Sequence, residues 1–369
     1  MFITLRNLVV HIMAAFIHDR EKRRNFRNKY KIKSKFRKLR DDNRKLFNEI
    51  ISLRKDLAIF KEKYDQHLLE WEREKYFTFD NIKPLDSAHA KGPNTEVFLA
   101  IACVAKNEGP YLKEWIEYHR IVGVDRFYFY DNESDDDTRE ILDPYIRDGI
   151  VIYHFLPNHK VTKKRPQIHA YNDAIFKYRE RTRWMAIIDI DEFIVPVEKN
   201  TIPEFLADYE KYPGVVINWV CFDSNGYEKK PTEHGGLLTA NYTRVRKNHN
   251  NNSGYKDTTV KSIVNPKVVA SIIQVHYGLY FLNNEAVTEN FQRTRGQETK
   301  FHSSKKIRIN HYYTKSREEY VAKIKRNSKA SQSLYKFDEA RLNFQDETIE
   351  DLVIQKYVPK LKSALYITD

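Results

Sequence analysis

Two aspartates one residue apart, Asp189 and Asp191, follow the apolar run Trp184-Met185-Ala186-Ile187-Ile188. Read as a buried strand over 184–190, this run turns both carboxylates to one face and Ile190 to the other, because side chains alternate along a strand. Two hard carboxylate oxygens on one side suit Mg²⁺ or Mn²⁺, which bind through a few carboxylates plus substrate phosphates. A cation there neutralises the charge that builds on a diphosphate leaving group. Burying the pair without a cation is costly. The competing reading gives the two aspartates only capping or ion-pairing roles.

The elements that must position this pair alternate between strand and helix, which predicts an α/β domain with a largely parallel sheet. Strands are expected at 97–104, 125–130, 149–155, 184–190 and 215–222. Helices are expected from Pro110 to a stop at Gly123, from about Thr138, and from Pro166 to about Glu180. Ligands of open α/β sheets bind beyond the carboxyl ends of the strands. Three polar clusters fall at such ends: Lys106-Asn107-Glu108, the run from Asp131 to Asp136, and the run from Asp189 to Glu192. Their convergence predicts one active site. Asp135, Asp136 and Asp137 also suit the N-terminus of the helix starting at Thr138; Asp131 is assigned to the ligand and Asp137 to the cap.

Composition narrows the classes. With 21 Phe, 24 Tyr and 4 Trp among 369 residues, a disordered chain is excluded. Cys103 and Cys221 both sit in apolar runs, the pattern of buried thiols in a reducing compartment. The net charge of +13 is concentrated between Asp19 and Lys45, where fourteen Lys/Arg face four Asp/Glu. It therefore belongs to an N-terminal arm, and no motif pattern supports a nucleic-acid partner. Residues 1–38 are expected to form a basic amphipathic arm: Phe2, Leu5, Leu8, Val9, Ile12, Met13 and Phe16 share a face, and the basic block meets anionic lipid. A solvated basic tail is the bland alternative. Residues 39–76 carry heptads with Leu46, Ile50, Leu53, Leu57, Phe60 and Tyr64 at core positions and Asn43 at an a position, the pattern of a dimerising coiled coil or of one amphipathic helix. A linker over 77–95, a catalytic domain over 96–326 and a helical tail over 327–369 complete the expected organisation. Sequons occur at Asn132, Asn241 and Asn251; the first sits in the expected donor pocket. The expected location is cytoplasmic, peripheral on the inner face of the membrane.

The stretches CVAKNEGPYLKEWIEYHRIVGVDRFYFYDNESDDDT, WMAIIDIDEFIVP, KSIVNPKVV and NHYYTKSREEYVAKIKR together resemble glycosyltransferase family 92 and related family-2-like enzymes over about 98–326. The resemblance implies the GT-A fold, with a Rossmann-like mixed sheet, and sugar transfer from a nucleotide-diphosphate donor, UDP-linked, to a glycan acceptor. It implies that Asp131 and Asn132 contact the donor's base and ribose beside Lys106, Asn107 and Glu108, with Asp136 nearby. It further implies that Asp191 binds Mn²⁺ or Mg²⁺ with help from Asp189, and that a late histidine completes the metal site, His311 first and His276 second. Lys315 and Lys323 steady the diphosphate or form a solvated helix face. Inversion at the anomeric centre requires a general base; Asp223 is the nearest carboxylate after the metal motif, ahead of Glu228 and Glu233. Trp219, Phe222 and Tyr227 stack on an acceptor sugar or pack in the core. The arm is similar to a segment preceding bacterial surface-polysaccharide transferases, which implies a surface-glycan acceptor. Two rival readings remain: a Mg²⁺-dependent phosphatase or phosphotransferase, and a coiled-coil scaffold with a degenerate transferase head.

Overall fold

A computed structural model describes residues 96–157, 166–249, 256–331, 337–344 and 347–367. The chain divides into two compact units, 1–83 and 84–369, and every described residue belongs to the second. The expected arm, coiled coil and linker, and the Asn251 sequon, lie outside the described residues.

The first half alternates as expected: β1 (Val97–Ala105), α1 (Gly109–Ile121), β2 (Arg126–Asp131), α2 (Thr138–Arg147), β3 (Val151–Phe155), α3 (Pro166–Tyr178) and β4 (Thr182–Ile187). β1 is apolar throughout, as a strand covered on both faces must be. Its Leu99, Ile101 and Cys103 enter one core with Trp115 of α1, while Ala100 and Ala102 enter a second with Tyr171 and Ala174 of α3. α1 ends where Gly123 takes a φ of +100°, and a Cβ there would stand 2.6 Å from the Pro203 ring. Only glycine fits that turn.

The second half adds β5 (Glu192–Pro196), α4 (Ile202–Leu206), β6 (Gly214–Cys221), α5 (Leu238–Asn241), β7 (Arg244–Arg246), β8 (Val260–Val264) and a hairpin of β9 (Val269–Gln274) with β10 (Tyr277–Tyr280). Then come β11 (Ala286–Val287), β12 (Arg293–Thr294), β13 (Ile307–His311), α6 (Arg317–Ser331), α7 (Glu339–Leu342), β14 (Thr348–Glu350) and α8 (Val358–Ala364). The central sheet runs β12-β11-β6-β8-β4-β1-β2-β3, with β13 joined to β6 and β5 to β13. Strands β4, β1, β2 and β3 are parallel. β8 is antiparallel to both β4 and β6, so the whole sheet is mixed rather than largely parallel.

Two local expectations change. The strand expected over 184–190 stops at Ile187, because β5 leaves the β4 line to pair antiparallel with β13. Asp189, Ile190 and Asp191 therefore form the turn between β4 and β5 rather than a strand end. Beyond residue 326, the expected helical tail contains a strand as well as short helices. β14 pairs with β7, Arg308 Nη1 donates to Asp351 Oδ2 at 2.7 Å, and Phe344, Ile354, Tyr357 and Leu361 enter the main core.

Candidate active site

A cavity of about 340 Å³ opens over the carboxyl end of β1 and the β4–β5 turn. Lys106, Glu108, Asp189, Asp191, Trp219, His276, His311 and Lys323 line it, all singled out from the sequence. Gln167, Val275, Tyr313 and Arg326 line it as well.

The turn holds the aspartates by a fixed set of donors. The amide N of Asp189 donates to Glu192 Oε2 at 2.9 Å, closing the loop on itself. Asp189 Oδ1 accepts from Gln167 Nε2 at 3.0 Å and from the Tyr171 hydroxyl at 3.2 Å, both on α3. Its Oδ2 accepts from Lys261 Nζ of β8 at 2.8 Å. Lys261 is 1% exposed and also stands 3.4 Å from Glu192 Oε2. Burial pulls the Lys261 ammonium down, yet Asp189 and Glu192 outweigh it and raise its pKa. Burial pushes the Glu192 carboxyl up to about 8; Lys261 opposes that, and Asp189 and Asp191 add to it. Lys261 was not singled out from the sequence, although it opens the KSIVNPKVV stretch. A lysine in an otherwise apolar strand is a signal, because it must find a carboxylate to be buried at all.

Asp191 is held from the other side. Lys323 Nζ of α6 donates to its Oδ2 at 2.6 Å, and His311 Nε2 at the end of β13 stands 3.8 Å from Oδ1. Burial alone would raise the Asp191 carboxyl; Lys323, then His311 and Lys315, hold it well below the ordinary range. His311 is lowered to about 4, by burial first and against the pull of Asp191, so its imidazole is neutral. Lys323 also covers the Tyr313 ring at 3.6 Å. At the mouth, Glu108 pairs with Lys315 at 3.3 Å and Arg326 at 3.2 Å. Lys106 has no ion-pair partner among the described residues.

The remaining expected donor residues sit beside the cavity rather than on its wall. Asp131 pairs in register with Ala105 and is buried. Its oxygens accept from the Ser134 amide at 2.8 Å and the Tyr153 hydroxyl at 2.7 Å. Asn132 Nδ2 donates to the Leu156 carbonyl at 3.0 Å. Asn107, at a φ of 57°, accepts from the Asp135 amide at 2.9 Å. Asp136 ties two loops together, accepting from the Gly109 amide at 3.0 Å and the Thr138 amide at 3.1 Å. The cap assigned to Asp137 is therefore supplied by Asp136, since Asp137 makes no capping hydrogen bond.

Asp223 is not brought to the cavity. It is 1% exposed, and Arg244 Nε lies 2.9 and 2.6 Å from its two oxygens. The amides of Asn225 and Phe344 donate to the same carboxylate at 2.9 and 3.1 Å. Tethered in this way to the C-terminal segment, it does not line this cavity. Glu228 and Glu233 are exposed and do not line it either. Phe222 and Tyr227 pack with Tyr312 and Tyr242 rather than facing the cavity. At the Asn241 sequon the amide is buried and donates to the Glu233 and Leu237 carbonyls, both at 2.8 Å.

The groups that could hold a cation are the Asp189 and Asp191 carboxylates, with His311 beside them. The chemistry suits Mg²⁺ or Mn²⁺, which keep open positions for phosphate oxygens and water. Among the described residues, no three carboxylate, thiol or imidazole groups already form a complete cage. Two lysines neutralise the aspartates instead, and Lys323, at 18% side-chain exposure, is the one positioned to yield.

The glycosyltransferase family 92 model matches residues 100–357. A family 92 protein of Oryza sativa subsp. japonica is 28% identical over 148 residues, covering 39% of this chain and 24% of that protein. One from Arabidopsis thaliana is 26% identical over 193 residues, 48% of this chain and 31% of the relative. A galactan beta-1,4-galactosyltransferase of Arabidopsis thaliana is 28% identical over 126 residues, 31% of this chain and 24% of the relative. The alignments thus span between 24% and 31% of these relatives' own length. Among solved structures, S. aureus TarS residues 1–349 superposes with a TM-score of 0.33 at 10% identity, over 66% of this chain and 68% of that one. The α/β fold with a central mixed sheet expected of a GT-A enzyme is the one observed. With a family model matching well over half of the sequence, the chain belongs to glycosyltransferase family 92.

Proposed function

We propose that the protein is a divalent-metal-dependent, inverting glycosyltransferase that moves a hexose from a UDP-linked donor to a glycan acceptor. One observation carries this reading: Asp189 and Asp191, each neutralised by a lysine, meet in a cavity at the carboxyl ends of parallel strands. The nucleotide is assigned to the flank of β1 and β2, where Lys106 has no ion-pair partner among the described residues and Asp131 ends its strand next to Ala105. Asp191 with His311 would hold the cation, and Asp189 would orient it or the ribose. When bound, a divalent cation supplies charge neutralisation to the departing diphosphate. Lys323 leaves Asp191 for the phosphates, and Arg326 can leave Glu108 in the same way. Lys261 stays buried and keeps Asp189 in place.

The galactan beta-1,4-galactosyltransferase relatives favour galactose as the sugar to try first. A phosphatase acting through an aspartyl phosphate fits the geometry less well. The leading aspartate of such a pair must attack phosphorus, and Asp189 is held by three donors. The basic arm is assigned to an anionic membrane surface, which vesicle co-sedimentation with and without residues 1–38 tests. The central test is nucleotide release from a panel of nucleotide sugars, with Mn²⁺ and with EDTA, for the wild type and Asp191→Ala. Mn²⁺-stimulated release from a UDP-sugar, lost in the variant, is expected; phosphate release from simple monoesters would sink the reading.

A further inference from the structure

With Asp223 tied to Arg244, the cavity needs another group to take the proton of the acceptor hydroxyl. Each of the three carboxylates that line it is already bound to a cation: Glu108 to Lys315 and Arg326, Asp189 to Lys261, Asp191 to Lys323. His276 differs. Its Nδ1 lies 2.9 Å from the Val260 carbonyl oxygen. A carbonyl only accepts, so Nδ1 carries the hydrogen and Nε2 keeps the lone pair. Among the described residues that Nε2 has no hydrogen-bond partner, and it is not closed off from solvent. We infer that His276 is the catalytic base of this enzyme, with Nε2 receiving the acceptor's hydroxyl proton.

This inference rests on the glycosyltransferase reading above and adds the residue that reading lacks. The topology places the residue on the correct side. Across the sheet, the order β2, β1, β4, β8, β6 puts the nucleotide flank and the His276 flank on opposite sides of the aspartate turn. An inverting displacement needs that arrangement, because the acceptor oxygen must approach opposite the leaving diphosphate. The oxygen bonds to the anomeric carbon as the carbon–oxygen bond to the diphosphate breaks. The electron pair leaves on phosphate oxygen, and the hydroxyl proton passes to Nε2 and later to solvent.

The mount is stiff. His276 sits with Val275 in the two-residue turn of the β9–β10 hairpin, where Tyr277 pairs with Gln274. The Ser262 hydroxyl donates to the His276 carbonyl at 2.7 Å, and Gln274 Oε1 accepts from its amide at 2.9 Å. Asn172 of α3 holds both the amide and the carbonyl of Ile272 at 2.8 Å. The ring stands edge-on to Trp219, centroids 5.3 Å apart, so the indole beside it offers an apolar surface for a sugar face. Burial first, then Lys261 on β8, lower the imidazole to about 4; the Val260 carbonyl, Asp189 and Glu298 work the other way.

The test uses the full chain with His276→Ala and His276→Gln. It reads UDP affinity with Mn²⁺ by calorimetry, Mn²⁺ affinity by electron paramagnetic resonance, melting temperature, and turnover of a nucleotide-sugar panel. Expected are UDP and Mn²⁺ affinities close to wild type and turnover lower by roughly 10²–10⁴-fold in both variants. Added imidazole should restore part of the turnover to His276→Ala and none to His276→Gln, whose side chain fills the space. Undiminished turnover in either variant overturns the inference. So does a loss of Mn²⁺ affinity, which would make His276 a metal ligand, or recovery of turnover by glutamine alone, which would make it a structural tether. A wild type that binds no UDP and releases nucleotide from no donor instead overturns the glycosyltransferase reading beneath it.

Discussion

The two flanks of the cavity are built on different plans. The β1–β2 flank is made of short loops that follow strands and tie one another down over a few residues of each loop: Asp131 to Ser134, Asn107 to Asp135, Asp136 to Gly109 and Thr138. The β8–β6 flank is assembled from single side chains on separate elements. Lys261, His276 and His311 reach it from a strand, a hairpin tip and a late strand. A flank of local loops can adapt to a nucleotide through small backbone movements. A flank of buried, cross-braced side chains holds charges and a lone pair in fixed places, which is what the chemical step needs.

Substitutions that cut each flank test this contrast. The largest effect is expected where the flanks meet. Asp191→Asn should lower Mn²⁺-stimulated nucleotide release by about 10³-fold, the order seen when one preorganised electrostatic group is lost. Steady-state assays across Mn²⁺ concentrations check this. Next, Lys261→Met takes the cation away from the buried Glu192 and the half-buried Asp189. It should cost roughly 3–5 kcal/mol in urea denaturation and lower turnover, with Lys261→Arg failing to restore it. A mild stability change with full turnover would show that the β8 flank is not cross-braced as described.

Smaller effects fall on the local flank. Asp131→Asn keeps one acceptor oxygen and should weaken UDP binding about tenfold, or about 1.4 kcal/mol, with little change in Mn²⁺ affinity. Titration calorimetry separates the two. The smallest effect on catalysis belongs to Asp223→Asn. It should cost about 1–3 kcal/mol of stability through its tethers to Arg244 and the Phe344 amide, and leave the pH profile of turnover unmoved. A profile that loses its acid limb in that variant would return Asp223 to the role of base.

Much of the β1–β2 flank was legible in the sequence because its signals are local. Apolar runs bounded by Gly, Pro and acidic residues gave strands and helices whose ends moved by only a few residues, and each polar cluster follows its strand directly. The end of β4 was misread because Ile188 and Ile190 prolong the apolar alternation past Ile187. The turn is imposed by β13, more than a hundred residues later. Lys261 was passed over because its burial depends on Asp189 and Glu192, about seventy residues earlier. Asp223 looked like a base because a carboxylate after a strand is also what a loop tether looks like. Arg244 and Phe344 decide between them only in three dimensions.

The strand and core side chains contributed after residue 347 set a schedule for biogenesis. The long-range pairing of β14 with β7 and of Arg308 with Asp351 cannot form until the ribosome has released that stretch. Until then the emerging chain carries an uncovered apolar surface where Ile354, Tyr357 and Leu361 will later lie. Stalled nascent chains ending near residue 330 should therefore be cut by protease and engage chaperones, and those extended past residue 367 should resist. Equal resistance at both lengths would show that the last segment closes over a unit that was already complete.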